Sequence, residues 1–348
     1  MPEETMSIDE SAGQLFIIEL KSQDNLYFTE FNDYLKNLMD EYNIGGFIFF
    51  KKNIIDLQQV KKFIYQLQEN SKTPLFIAID EEGSPVTRFS HLLKKTFFSH
   101  AALASQNSES ITYAEAYRIG VFLRELGFNL NFAPVADILQ SEKNTMIGER
   151  SFGSDPETVI KHSIAFSNGL TDSGIISCCK HFPGCGDVID DLHFSRNFSQ
   201  KNIENLYSTD LKPFIALIEN NCRAIMSGHS VYRNISETVT LAGGEKAILP
   251  SSFSKIIING LLRTRLNYKN LIITDSLRMN SVANYFSHKE IANYALNAGN
   301  DILLMPRDFK TFYSYIANEF AIEQHNKKLI DDSIRRIAYI KKSLIIDQ

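Results

Sequence analysis

Short apolar runs recur along the chain, each followed by a stretch in which apolar residues return every three or four positions. Eight of them read as strands: QLFIIEL (14–20), IGGFIFF (44–50), PLFIAID (74–80), LNFAPVAD (130–137), IISCCKH (175–181), AIMSGH (224–229), LIITD (271–275) and DILLM (301–305). Between them, DLQQVKKFIYQLQEN (56–70), SITYAEAYRIGVFLRELG (110–127), PETVIKHSIAFSNGLTDSG (156–174) and LKPFIALIENN (211–221) have helical spacing. Strands alternating with helices predict a parallel sheet covered by helices, and eight repeats predict an α/β fold closed as a TIM-like (β/α)8 barrel. The rival is an open doubly wound sheet, but its G-x-G-x-x-G turn after the first strand is missing. HNKKLIDDSIRRIAYIKKSL (325–344) is predicted to pack as a last helix. No Pro- or Ser-rich linker interrupts the chain, so residues 1–348 are expected to form a single domain.

Composition narrows the function classes. With 348 residues, 44% hydrophobic and 22% charged, the chain can bury a large core, which sets disorder aside. A formal charge of -5, with lysine pairs scattered at 51–52, 61–62 and 94–95, gives no broad positive field, so no nucleic-acid partner is expected. The start, MPEETMSIDES, is acidic and lacks a basic-then-apolar leader, and no run approaches the roughly 18 to 20 apolar residues of a membrane span. A cytoplasmic protein with no membrane partner is the expectation. Cys178 and Cys179 are adjacent, and Cys185 and Cys222 lie in other contexts; that is no disulfide framework, and it fits a reducing compartment.

Polar residues end several of the apolar runs: Asp80, Asp137, His181, His229 and Asp275. In a parallel barrel these ends meet on one rim, where such folds place their chemistry. Capping of the following helices is the plainer role for any one of them. The stretch KHFPGCGDVIDDLH (180–193) is the densest in chemistry, and Pro183, Gly184 and Gly186 end its strand and let backbone approach a ligand. Cys178, Cys179, His181, Cys185 and His193 are potential zinc ligands. Against a zinc site, neighbouring strand residues face opposite ways and C-x2-C is absent. A phosphate cradle lacks its G-x-x-x-x-G-K-[ST] pattern. There remains the pair Asp191 and His193, in which a carboxylate orients an imidazole and raises its pKa, suiting a group that gives and later takes a proton. Alone, D-x-H is a weak motif, equally that of a surface His beside a surface Asp.

Taken in order, AGQLF (12–16), IDEEGSPVTRF (79–89), LNFAPVADI (130–138), IGERSFGSDP (147–156), KHFPGCGDVIDDLH, MSGHSVY (226–232), ITDSLRM (273–279) and AGNDILLMP (298–306) resemble the glycoside hydrolase family 3 β-N-acetylglucosaminidases, cytoplasmic bacterial enzymes of peptidoglycan recycling. The resemblance covers nearly the whole chain and implies a TIM-like barrel, in agreement with the strand count. It implies that Asp275 is the nucleophile of a retaining reaction and that His193 is the acid/base, with Asp191 as its partner. It implies further that Asp80, Arg88, Arg150, Lys180 and His181 hold the sugar hydroxyls and the 2-acetamido group. Arg88 has a structural alternative, pairing with a nearby acid. His229 and Met305 fall on the pocket wall, and Asp137 behind it.

Three positions depart from the family pattern: Cys185 stands where G-H-G has histidine, Ser84 where a second glycine is usual, and Leu192 inside D-S-H. Cysteine lacks the two-sided hydrogen bonding of imidazole, and Ser84 matters if that position needs a positive φ. The function expected is exo-β-N-acetylglucosaminidase action on N-acetylglucosaminyl anhydromuramic acid fragments, by a monomer, with no metal or organic cofactor implied. Phosphorolysis is an alternative, since a neutral histidine does not repel phosphate as a carboxylate does. A non-catalytic sugar-binding homologue and a zinc hydrolase are the others.

Overall fold

The computed structural model describes residues 11–22, 24–187, 196 and 198–346. Eight strands follow one another around a ring: β1 (Phe16–Glu19), β2 (Gly46–Phe49), β3 (Phe76–Ile79), β4 (Leu130–Asn131), β5 (Ile176–Phe182), β6 (Ala224–Ser227), β7 (Leu271–Thr274) and β8 (Leu303–Leu304). Every neighbouring pair is parallel. A parallel bridge between Ile273 and Ile302 joins β7 to the chain entering β8 and closes the ring. Each predicted run therefore contains a strand, and the (β/α)8 barrel expected from the alternation is the observed fold. Most of the strands are buried along their whole length, as a sheet covered on both faces requires.

The predicted helices form at Leu57–Glu69, Glu109–Leu126, Pro156–Asp172, Leu211–Glu219 and Gln324–Ile346. Their ends are written in the sequence. Asp56 accepts from the amides of Gln58 and Gln59, Asp155 caps a helix whose first residue is Pro156, and Gly127 closes its helix at φ 98. Strand β4 is shorter than the run 130–137 predicted. Pro134 has no N–H to give the ladder, and beyond it pairing is reduced to the bridge at Val135, where Pro134 O accepts from Lys180 N at 3.0 Å and Ala136 N donates to Lys180 O at 2.6 Å.

The last helix closes the floor of the barrel. Its buried Lys341 donates from Nζ to Gln14 Oε1 (2.7 Å) and to Gly45 O (2.9 Å), groups that precede β1 and β2. Burial without a carboxylate partner lowers the Lys341 pKa to about 7. Among the described residues no helix is long and apolar enough to cross a membrane.

Candidate active site

A cavity of about 410 Å3 opens among the carboxyl-terminal ends of the strands. Asp80 directly follows β3, Lys180 and His181 lie in the last turns of β5, and Asp275 directly follows β7. Loops after β3 and β4 return Arg88 and Arg150, and all of these side chains line the same cavity. A larger cleft, about 690 Å3, lies at the opposite end, against segments 71–74 and 124–129. Barrels of this type place chemistry at the carboxyl ends, so the smaller cavity is the candidate site.

Its central feature is a chain of opposite charges. Lys180 Nζ lies 2.9 Å from Asp80 Oδ1 and 2.5 Å from Glu82 Oε1. Asp80 Oδ2 accepts from Arg88 Nη2 at 2.9 Å, and Glu82 accepts two bonds from Arg150, from Nε at 2.8 Å and Nη2 at 2.9 Å. Burial opposes ionisation throughout, but the cations outweigh it: Lys180 and Arg88 hold the Asp80 carboxyl below its usual range, and Arg150 and Lys180 hold Glu82 well below. Burial likewise works against charge on Lys180, yet Asp80 and Glu82 raise its pKa. The network therefore presents fixed charges at neutral pH, the pre-organised kind of surface that orients a polar ligand.

A second unit lies beside it. Asp137 Oδ2 accepts from His181 Nδ1 (2.7 Å) and from the His181 amide (3.2 Å), while Oδ1 accepts from the Cys185 amide (2.9 Å). Burial raises the Asp137 pKa, but His181 and these hydrogen bonds reverse that and lower it, so the carboxylate accepts and Nδ1 carries the proton. Nε2 is then the ring nitrogen available to a ligand. Glycines make this turn possible: Gly184 has φ 128, and a Cβ on Gly186 would sit 1.6 Å from Ile138 O.

Asp275 is partly exposed. Its amide donates to Ser227 O (2.9 Å), and its Oδ1 accepts from the Ser276 amide (2.6 Å). Among the described residues Oδ2 has no hydrogen-bond partner. Behind it, His229 bonds Ser252 Oγ at 2.7 Å and Ser276 O at 3.1 Å. His229 is fully buried, and burial lowers its pKa. It thus holds the backbone beside Asp275, which corrects its expected place on the pocket wall; Met305 does line the cavity.

The structure brings Asp80, Arg88, Arg150, Lys180, His181 and Asp275 together, with Asp137 behind His181 as expected. Arg88 takes both of its roles, pairing with Asp80 and facing the cavity. Asp191, His193 and Leu192 lie outside the described residues. Ser84 has no positive φ, whereas Gly83 before it has φ 89, so the lost glycine is tolerated there. Glu82 was not singled out from the sequence. Its signal was the two-residue spacing from Asp80, which sends both side chains to one side of an extended segment.

Glu81, between these two, points the other way. It is fully buried, Oε2 accepts from the Arg88 amide at 2.8 Å, and Oε1 has no hydrogen-bond partner among the described residues. Burial pushes its pKa up from 4.5 to about 7. Between those values the folded form keeps a proton that the unfolded chain has lost, so stability falls as pH rises from about 4.5 to about 7 and stays lower above it. Glu81→Gln keeps an acceptor for Arg88 and removes this loss. Relative to wild type it is expected to gain roughly 2 to 3 kcal/mol between pH 4 and pH 8, measured by denaturant unfolding at both values. A difference that does not change with pH contradicts this.

The Glycosyl hydrolase family 3 N terminal domain matches residues 7–340. The chain is 32% identical over 329 residues to a Beta-hexosaminidase A of Pseudoalteromonas piscicida, covering 89% of this chain and 55% of that protein. It is 31% identical over 266 residues to a Beta-hexosaminidase of Haemophilus influenzae, covering 75% and 72%. A glycoside hydrolase family 3 beta-N-acetylglucosaminidase structure from Paenibacillus superposes with TM-score 0.88 at 29% identity, covering 99% of this chain and 64% of that one. The chain thus spans about half the length of the first relative. Barrel, sequence match and superposition agree over nearly all of its residues: the chain belongs to glycosyl hydrolase family 3.

Proposed function

We propose that the protein is a retaining exo-β-N-acetylglucosaminidase in which Asp275 is the nucleophile and His193, paired with Asp191, the acid/base. The observation that carries this reading is the carboxylate of Asp275 in the cavity, with one oxygen steadied by the Ser276 amide, opposite a clamp of Asp80, Arg88, Lys180, Arg150 and His181. The hexosaminidase names of its relatives support the N-acetylhexosaminide substrate.

The clamp holds the terminal sugar by its hydroxyls and acetamido group with C1 toward Asp275. The carboxylate attacks C1 as the glycosidic bond breaks, and the imidazolium of His193 gives its proton to the departing oxygen. The glycosyl ester on Asp275 is then opened by a water whose proton returns to His193, releasing N-acetylglucosamine with the β configuration. Asp191 stabilises the charged imidazole in the first step. The roles of Asp191 and His193 rest on the family resemblance. So does the proposed natural substrate, an N-acetylglucosaminyl anhydromuramic acid fragment of cell wall met in a bacterial cytoplasm.

The test compares leaving groups. Wild type is expected to hydrolyse both nitrophenyl N-acetyl-β-glucosaminide and diacetylchitobiose. In kcat/KM, which reports the first step, His193→Ala is expected to lose about 10²- to 10⁴-fold on the disaccharide, whose departing oxygen needs a proton, and less on the nitrophenyl glycoside. Equal loss on both substrates, or no loss, contradicts the assignment of His193.

A further inference from the structure

We propose that Asp137, His181 and Cys185 form a binding site for a thiophilic divalent cation, zinc by preference, whose occupancy shuts down the sugar cavity. One ligand atom from each residue, a carboxylate oxygen, a ring nitrogen and a sulfur, lies within 4.8 Å of the other two, and all three residues are buried. They come from the loop after β4, the end of β5 and the turn after it. The zinc ligands that the sequence suggested among Cys178 and Cys179 are not involved.

The spacing suits a small tetrahedral ion. Zinc bonds of about 2.05 Å to nitrogen and 2.3 Å to sulfur place those two atoms about 3.6 Å apart. Cys185 Sγ and His181 Nδ1 are 3.7 Å apart. His181 Nδ1 and Asp137 Oδ2, now hydrogen-bonded at 2.7 Å, must separate by roughly 0.6 Å to admit the ion. His181 and Cys185 both line the cavity, so the fourth coordination position opens toward it.

Charge favours the same occupant. Among the described groups at the site, four carboxyl groups (Asp80, Glu82, Asp137, Asp275) stand against four cations (Arg88, Arg150, Lys180, Arg278), and Arg278 is also paired with Glu19 at 3.0 Å. Binding releases the thiol proton of Cys185 and moves the His181 proton from Nδ1 to Nε2. The Cys185 thiolate and the Asp137 carboxylate then offset the two positive charges of the ion at its own ligands. A thiolate and an imidazole in the set select zinc or cadmium over magnesium or calcium. The site is also peculiar to a chain with sulfur at position 185, where the family pattern has imidazole.

The ion takes Asp137 away from its hydrogen bonds and His181 away from the sugar, so the bound form is inactive. The inhibition rests on the N-acetylglucosaminidase reading; the binding does not. The experiment is a titration of cadmium, then zinc, into the metal-stripped full chain, reading the ultraviolet thiolate-to-cadmium charge-transfer band and, in parallel, nitrophenyl N-acetyl-β-glucosaminide hydrolysis. Wild type is expected to take up one equivalent with the band, and to lose hydrolysis with zinc in a way that a chelator reverses. Loss of a group that merely supports a metal ligand already costs 10- to 100-fold in affinity, so Cys185→Ser should bind at least about 100-fold more weakly, show no band, and keep its own rate unchanged on adding zinc. Should that variant not fold, His181→Gln is expected to show the same loss of binding. No band in wild type overturns the proposal, as does an equal band or equal zinc inhibition in Cys185→Ser. A band without any hydrolysis in the metal-free protein leaves the site standing and overturns only the enzyme assignment.

Discussion

Asp275→Ala is expected to lower kcat/KM for nitrophenyl N-acetyl-β-glucosaminide by on the order of 10³- to 10⁵-fold while leaving the unfolding midpoint nearly unchanged. The rate loss follows from removing the atom that forms the covalent bond to C1, which no neighbour replaces. Glu82 and Asp80 are tied to Lys180, Arg88 and Arg150, and Asp137 is tied to His181 and the Cys185 amide. Stability is spared because the carboxylate is partly exposed and its one hydrogen bond among the described residues is to the adjacent amide of Ser276. The backbone there is held independently, by the Asp275 amide on Ser227 O and by His229 on Ser276 O. Steady-state kinetics with a thermal melt checks both halves. Activity within tenfold of wild type in a well-folded variant contradicts the role given to Asp275.

Lys180→Met is expected to damage both fold and activity. The ammonium is 3% exposed and lies between two carboxylates, of which Glu82 is 2% exposed. Methionine fills much of the same volume but leaves Asp80 and Glu82 facing each other with only the two arginines to compensate. Removing one partner of a buried ionic network costs roughly 3 to 5 kcal/mol. The pH dependence follows from the carboxyls. Both have folded pKa values below their unfolded ones, so the stability they contribute is present above the unfolded values, near pH 4 to 5, and fades in acid as they take up protons. The deficit of the variant is therefore largest at neutral pH and shrinks toward pH 3. Urea unfolding of both proteins across that range measures it, and a deficit that grows in acid contradicts the network described. Activity should fall with it, because Asp80 and Arg88 lose the contact that fixes them against the sugar.

Much of this arrangement was legible in the sequence. Eight apolar runs with helical stretches between several of them already predict a barrel whose strand ends carry Asp80, His181 and Asp275 to one rim. What was not legible came from long-range pairing. Glu82 reaches Arg150 and Lys180 across long sequence separations, and its spacing from Asp80 shows only which way it faces, not these partners. His229 ends a strand like the other rim residues, yet it faces Ser252, a partner visible only once the chain is folded. The helix Asp33–Tyr42 was missed although Leu35, Leu38, Met39 and Tyr42 keep helical spacing and pack on the core. Its cap, Asn32 accepting from the Leu35 amide, was a second signal.

The proposed reaction requires a sugar to become covalently attached to Asp275. In His193→Ala, an activated dinitrophenyl N-acetyl-β-glucosaminide still transfers its sugar to the enzyme, while the water step lacks its base, so the intermediate is expected to accumulate. Denaturing quench, proteolysis and mass spectrometry should find one N-acetylglucosaminyl group on the peptide bearing Asp275. The same sugar on a different carboxylate, or α-configured N-acetylglucosamine as the first product of the wild-type enzyme, would contradict it.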